Sequence, residues 1–355
     1  MRPSELIDTP PHSVADPSHG LGRLAERGPV DSPPPYPYGW FAAGFSDEIR
    51  AGDITTRQFM GRDIIVYRTE SGELCAAEAY CPHLGAHFGH GGRVCGEVIE
   101  CPFHGFRFGS DGACASTPYE GGAPPPAARM GMLAVRECFG MVLVYHGPEA
   151  TPSWEVETPT DDGGWRPLQK RKLKFRSHPQ EVTENAVDYG HFDGVHNMGN
   201  FGVVKPLAVD GPRLRVTYTA DYRLPIKGVW KGEFDIRVDG LGFSIVEVSL
   251  PFGWLFRQLV LTTPTQGREI DVYLAVSVRR TRTRILAAIA APAERLWGQI
   301  VLRLIEIELG RDQRMWEHKK YLNSPALASG DGPIGRYRRW ARQFYPGADN
   351  GNGAH

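Results

Sequence analysis

The chain has 355 residues, 41% hydrophobic and 23% charged, with a formal net charge of -1 from 40 basic and 41 acidic side chains. That length exceeds what one small core needs and implies two domains. Nothing in this near-neutral balance calls for nucleic acid or an anionic membrane as partner.

Residues 1–35 are rich in Pro, Ser, Asp and Gly and read as a flexible leader. No apolar signal-peptide core is visible in it. Its Gly20-Leu-Gly22-Arg-Leu-Ala25 run is a partial dinucleotide fingerprint, rejected because no strand precedes it. Residues 36–150 carry short β-type runs broken by glycine, among them Ile64–Tyr67, Val98–Glu100 and Met141–Tyr145, and predict a small all-β domain. Thr151–Trp165, interrupted by Pro and paired Gly, reads as a linker opening the second domain, residues 151–355. There Glu181–Tyr189 predicts a helix, and Arg213–Val278 predicts several long strands. Ala293–Lys320 predicts one strong helix with Trp297, Val301, Leu304, Glu308, Asp312 and Met315 on one stripe. Tyr337, Trp340 and Phe344 share one face of a short amphipathic helix expected to dock on the core. The longest apolar run, Ile285–Ala291, is too short to span a bilayer.

Two motifs carry chemistry. Cys81-Pro-His83 and Cys101-Pro-Phe-His104 are separated by seventeen residues. This resembles the ligand set of a Rieske [2Fe–2S] centre, in which two thiolates hold one iron and two imidazoles the other. Pro82, Gly85, Pro102 and Gly105 supply tight turns around it. The competing reading is a structural Cys₂His₂ zinc site. The remaining cysteines, Cys75, Cys95, Cys114 and Cys138, show no disulfide framework and read as buried free thiols; a reducing, cytoplasmic setting is expected.

The second motif is Glu184-Asn185-Ala-Val-Asp188-Tyr-Gly-His191-Phe-Asp-Gly-Val-His196. Asn185, Asp188 and His191 recur every three residues, which puts them on one helix face. His196 lies about 140° away on an ideal helix, so a break at Gly194 is expected to bring it back. Two converging imidazoles suit a metal. A carboxylate from elsewhere would complete the 2-His-1-carboxylate set of non-haem Fe(II) oxygenases. Asp312 is the first choice because an unpaired carboxylate on the inward stripe would be costly; Glu308, one turn earlier, is the alternative. The bland readings are an ion pair of Asp312 with Arg311 or Arg314, and a surface charge at Asp188. His87, His90, His178 and His318 lack partners at ligand spacing and read as structural.

From about Trp40 to Tyr345 the chain resembles the Rieske non-haem iron oxygenases in their oxygenase-component form. The closing text, Asp312-Gln-Arg-Met-Trp316 and Asp331-Gly-Pro-Ile-Gly-Arg-Tyr-Arg-Arg-Trp340, is similar to 3-ketosteroid 9-hydroxylase oxygenases and cholesterol 7-desaturases. The resemblance implies an α+β chain: a small all-β Rieske domain, then a helix-grip catalytic domain with an antiparallel sheet around a long helix. It implies a homotrimer in which Asp188 connects a neighbour's cluster histidine, His104, to His191. It also implies O₂ and mononuclear Fe(II) at the second site, with electrons from NAD(P)H through a separate ferredoxin or ferredoxin reductase. The function expected is oxidation of an unactivated C–H bond in a large apolar substrate, a sterol or steroid, by hydroxylation or desaturation. Candidate pocket residues are Phe234, Phe243, Phe252, Trp254 and Phe256. The substrate class leaves a peripheral membrane contact open. The competing functions are an electron-transfer Rieske protein with a lipid-binding module and a lipid carrier; the first leaves the His191/His196 pair unexplained, and the second leaves the cluster ligands unexplained.

Overall fold

The computed structural model describes residues 35–121, 123–158, 163–223, 229–280 and 284–347. The expected leader and its glycine run therefore lie outside the described residues, apart from Pro35. The described strands and helices belong to one compact unit, and residues 320–325 fall outside it.

The N-terminal part contains β1 (Gly39–Phe45), β2 (Ile54–Phe59), β3 (Arg62–Arg68), β4 (Leu74–Glu78), β5 (Arg93–Cys95), β6 (Val98–Glu100), β7 (Arg107–Phe108), β8 (Cys114–Ser116), β9 (Met132–Leu133), β10 (Val135–Cys138) and β11 (Met141–His146). They form three antiparallel sheets, β1-β11-β10, β2-β3-β4-β9 and β5-β6-β7-β8. Cys75 and Cys138 are buried as expected, whereas Cys95 and Cys114 are only half-buried because they sit in short strands near the surface.

The second part contains β12 (Gln169–Arg176), α1 (Pro179–Glu184), α2 (Gly190–His196), β13 (Met198–Asp210), β14 (Arg213–Arg223), β15 (Val229–Asp239), β16 (Phe243–Ser249), β17 (Leu255–Pro264), β18 (Glu269–Val278), α3 (Arg284–His318) and α4 (Ile334–Ala341). The seven strands make one antiparallel sheet in the order β12-β18-β17-β16-β15-β14-β13. Period-two patterning sets its faces: Leu214, Val216, Tyr218 and Ala220 of β14 are buried, and the arginines at 213 and 215 turn the other way. Helix α3 lays Val301, Leu302, Leu309 and Trp316 into one core with Phe175, Val272 and Leu274 of the sheet. This is the helix-on-sheet arrangement the resemblance implied. Tyr337, Trp340 and Phe344 dock as expected, and full burial of each ring is worth ~1.5–3 kcal/mol.

The inward stripe of α3 departs from expectation at its end. Met315 is 56% exposed and Trp316 is 3% exposed. Steps of four from Glu308 through Asp312 lead to Trp316, and Met315 points about 100° away from it. The core also crosses residue 150. Trp40, Phe45 and Leu143 of the first sheet pack with Phe243, Leu259 and Tyr273 of the seven-stranded sheet, and Trp40 Nε1 donates to the Trp154 carbonyl (2.9 Å). This packing fixes the cluster-bearing part to the second half.

Candidate cluster loops and metal centre

The two Cys/His loops have the same backbone. Cys81 N–H donates to Ala86 O (2.8 Å) and Gly85 N–H to Cys81 O (2.9 Å); Cys101 N–H donates to Phe106 O (2.8 Å) and Gly105 N–H to Cys101 O (3.1 Å). Both turns need a left-handed residue at their fifth position, and Gly85 (φ 74°) and Gly105 (φ 66°) provide it. Cys81 and Cys101 are buried neighbours. Burial lifts the Cys81 thiol to about 11, opposed by the backbone N–H groups of His83 and Leu84 aimed at its sulfur. Those N–H groups favour a thiolate, which a bound cation would complete. The His83 and His104 rings lie 4.8 Å apart, and His83 stacks on Phe106 at 4.2 Å. His83 Nδ1 is buried with no hydrogen-bond partner. Two buried thiols, two adjacent imidazoles and an orphaned ring nitrogen fit a His-ligated iron–sulfur cluster.

The second site is built by α2, α3 and the turn before α2. The expected helix over Glu181–Tyr189 is shorter: α1 starts at Pro179, capped by His178 Nδ1 accepting from Gln180 N–H (3.1 Å), and ends at Glu184. Residues 185–189 turn, and α2 then runs unbroken through Gly194 to His196. The break expected at Gly194 is therefore absent. His191 sits in the first turn of α2 and His196 is its last residue, followed by Asn197 in a left-handed conformation (φ 53°). The two rings still converge, with centroids 5.0 Å apart. Side-chain orientation does this rather than a kink, because each outer nitrogen is held from behind. His191 Nδ1 donates to the Asp188 carbonyl (2.5 Å), and His196 Nδ1 donates to Glu308 Oε2 (2.8 Å).

Asp312 completes the group. His191, His196 and Asp312 each offer one ligand atom, and all three atoms lie within 4.8 Å of one another. Asp312 Oδ1 lies 3.3 Å from His196 Nε2, and Asp312 is buried. Glu308 is placed differently. It accepts from His196, from Tyr222 OH (2.7 Å) and from Arg311 (2.9 Å). Arg311 thus pairs with Glu308 and not with Asp312. Burial opposes the charged form of His196, but hydrogen bonds and charge from Asp312 and Glu308 outweigh it and raise the imidazole to about 9. Burial depresses His191, partly offset by the Asp188 carbonyl. The donor set therefore draws positive charge to one point and fits a divalent metal. Asp188 is partly buried, its carboxyl raised by burial, and its Oδ1 is 3.9 Å from His191 Nδ1.

A cavity of about 250 Å³ opens onto this point. Its walls are mainly apolar and aromatic: Phe192, Tyr218, Trp230, Phe234, Phe256, Trp297 and Trp316, with Val and Leu between them. Thr183, Asn185, Tyr222, Ser244 and Gln258 are polar points besides the metal end. Of the expected pocket aromatics, Phe234 and Phe256 line the cavity. Phe243 is instead wholly buried in the core that joins the two sheets, Phe252 is 91% exposed, and Trp254 packs on Trp297. Alternation along the strands decided this: residues 234, 246, 248, 256 and 258 face the cavity. Tyr222, Trp230 and Trp316 were not foreseen. Trp316 was legible in principle from its four-residue step beyond Asp312.

A Rieske [2Fe-2S] domain model matches residues 39–129, and a 3-ketosteroid 9alpha-hydroxylase C-terminal domain model matches residues 144–345, more than half of the chain. The chain belongs to the Rieske non-haem iron oxygenases. The oxygenase is 27% identical over 351 residues to a cholesterol 7-desaturase of Caenorhabditis elegans, covering 89% of this chain and 78% of that one. It is 30% identical over 346 residues to cholesterol 7-desaturase nvd of Hemicentrotus pulcherrimus (89% and 71% covered). It is 28% identical over 341 residues to a probable 3-ketosteroid-9-alpha-monooxygenase oxygenase component of Rhodococcus rhodochrous (89% and 82% covered). Among solved structures it shares its fold with dicamba monooxygenase bound to dicamba, at a TM-score of 0.63 and 17% identity over 86% of this chain and 96% of that one. Pseudomonas putida CBB5 NdmA with caffeine gives 0.68 at 16% identity, over 85% and 89%. As an oxygenase component it uses a [2Fe–2S] cluster, mononuclear iron and O₂, with electrons from NAD(P)H reaching it through a separate redox partner.

Proposed function

We propose that this oxygenase oxidises an unactivated C–H bond of a large apolar substrate, a sterol or steroid, by hydroxylation or desaturation. One observation carries the reading: an apolar, aromatic cavity ends at His191, His196 and Asp312. The names of the relatives, cholesterol 7-desaturases and a steroid monooxygenase, support the same substrate class. In this reading Cys81, His83, Cys101 and His104 hold the cluster, and His191, His196 and Asp312 hold the iron. When bound, the two centres supply single-electron delivery and dioxygen activation.

The chain's own residues supply position and exclusion. Glu308 and the Asp188 carbonyl fix the outer nitrogens of His196 and His191, leaving the inner ones to face Asp312 and the cavity. The aromatic walls seat a hydrocarbon skeleton and keep water from the reacting carbon. Asn185, at the end of α1, is a polar point of the cavity wall, and Ser244 and Gln258 offer hydrogen bonds to a substrate hydroxyl or carbonyl. Hydroxylation replaces one C–H with C–OH, whereas desaturation removes hydrogens from two adjacent carbons and adds no oxygen, so which hydrogens these walls place near the metal end bears on the outcome.

We place the oxygenase in a homotrimeric ring, in a reducing, cytoplasmic setting, with a ferredoxin or ferredoxin reductase as donor. A head-to-tail ring repeats the same contact in every subunit. Support for Asp188 as the link to His104 of the partner subunit comes from its geometry: it holds His191 through its backbone carbonyl, and its carboxylate, 3.9 Å from the same ring, is partly exposed and can reach a second group. The test is reconstitution with a surrogate ferredoxin and reductase, oxygen and a panel of sterols and steroids, with products identified by mass. A product heavier by one oxygen atom is expected from hydroxylation, and one lighter by two hydrogen atoms from desaturation. Product from NADH and the isolated chain, or none from any apolar substrate with both iron centres loaded, overturns the reading.

A further inference from the structure

Helix α3 turns a second apolar face away from the cavity. Ile289 (72% exposed), Leu296 (58%), Ile300 (42%) and Ile307 (43%) follow one another at intervals of seven, four and seven residues. On an ideal helix they fall within about 40° of one another and roughly 80° round from Trp297, which faces the cavity. Four protruding aliphatic side chains on one arc are not needed by the core of the chain itself.

A strained loop is joined to α3 through Trp297. Phe252 holds φ at 66°, a conformation that a bulky side chain adopts only at a cost. Pro251 and Gly253 (φ 78°) flank it, and its ring is 91% exposed. The strain holds an aromatic ring in water, against its own hydrophobicity. The loop is tied to the cavity and to α3. Phe252 meets Trp230, a cavity wall, at 6.5 Å, and Trp254 meets Trp297 at 5.6 Å.

The sequence leading into α3 carries charge of one sign. In the sequence, Arg279-Arg280-Thr-Arg282-Thr-Arg284 has four arginines in six positions running up to the first residue of α3, and no acidic residue follows until Glu294, which pairs with Arg166; Arg279 stacks on Trp165 (5.2 Å), and residues 281–283 lie outside the described residues. Arg280 is exposed. The whole chain is near neutral, so this is a local asymmetry. Apolar prongs beside a basic run are the combination that binds the interface of an anionic bilayer.

We propose that α3 and the 251–253 loop dock on an anionic lipid bilayer, at the side of the cavity bounded by Trp230 and Trp297. The bilayer would then be the source of the apolar substrate, a point that rests on the function proposed above; the docking itself does not. The experiment is flotation of the full chain with vesicles of phosphatidylcholine, with and without phosphatidylserine, at low and high ionic strength. The oxygenase should float with the anionic vesicles and be released by salt. Arg280→Ala should bind them about fivefold more weakly. Phe252→Asp, and Leu296→Glu with Ile300→Glu, should lose most of the binding. Phe252→Gly removes the ring while relieving the backbone, so it should lose binding with folding intact. Turnover of detergent-dispersed substrate should be unchanged in these variants, and turnover of vesicle-borne substrate should fall. Three results overturn the proposal: no flotation of the wild type, flotation indifferent to the apolar substitutions, or an effect of Leu296→Glu confined to particle mass in light scattering, which would assign the face to a second copy of the chain. Because vesicle binding is read without substrate, its outcome is independent of the sterol assignment.

Discussion

Glu308 is the residue on which the metal-site geometry can be tested most sharply. It accepts the His196 Nδ1–H at 2.8 Å and is itself held by Tyr222 at 2.7 Å and Arg311 at 2.9 Å. Glu308→Ala would leave a ring N–H facing no acceptor beside an imidazole that is 7% exposed. Removing a charged partner from a buried donor costs about 1.5–3 kcal/mol. Loss of an outer-shell carboxylate behind a histidine ligand lowers metal affinity about 10- to 100-fold, or roughly 1.4–2.7 kcal/mol, so the two routes agree. Glu308→Gln retains an acceptor oxygen and should recover most of that loss. The assay is competition for Fe(II) or Co(II) against a chelator of known affinity, with the cluster followed separately by EPR. Unchanged affinity in Glu308→Ala would refute the assigned role. A loss as complete as that of Asp312→Ala, without recovery in Glu308→Gln, would make Glu308 the ligand instead.

Other outcomes follow from the same geometry. Asp312→Ala should lose mononuclear iron while the cluster stays reducible by dithionite; metal analysis showing full iron would remove Asp312 from the ligand set. Asp188→Ala should keep both iron centres and lose coupled turnover by orders of magnitude, and turnover within a factor of a few of wild type would take Asp188 out of the electron route. His178 tests stability against pH. Burial, with Arg268 nearby, lowers its folded-state imidazole to about 4, and its Nδ1 must stay unprotonated to cap α1. A histidine with a folded value below its unfolded one favours unfolding when protonated. Stability is therefore full above about pH 6.5, falls as pH drops through the window to about 4, and loses up to ~3 kcal/mol from this group. His178→Asn keeps a capping side chain without the titration, so urea unfolding should show a shallower loss between those values; parallel pH profiles would show that His178 contributes nothing to it.

The strands missed in the sequence were the two edges of the large sheet. Gln169–Arg176 carries five basic side chains and few apolar ones, and Met198–Asp210 contains three register shifts against its neighbour. An edge strand needs charge and irregularity to avoid pairing with other chains, and those features erase the alternation by which a strand is recognised. The inner strands bury a face and were legible. The same contrast holds around the metal. The three-residue spacing of Asn185, Asp188 and His191 suggested one helix face, yet the backbone turns between Glu184 and Gly190. Local spacing alone does not reveal that Asp188 would grip His191 through its carbonyl.

The residues themselves dictated the short-range chemistry. The matched Cys/His loops with a glycine at each fifth position, the His191/His196 pair and the inward stripe of α3 are patterns within a few turns of chain, where periodicity and ligand spacing operate. Tertiary structure alone placed Asp312 beside the two histidine rings and Glu308 behind His196, brought Tyr222 to Glu308, and sorted Phe234 and Phe256 into the cavity but Phe243 into the core. Those choices depend on which side chains from distant segments reach the same few ångströms, and that is set by sheet register and helix rotation, not by composition.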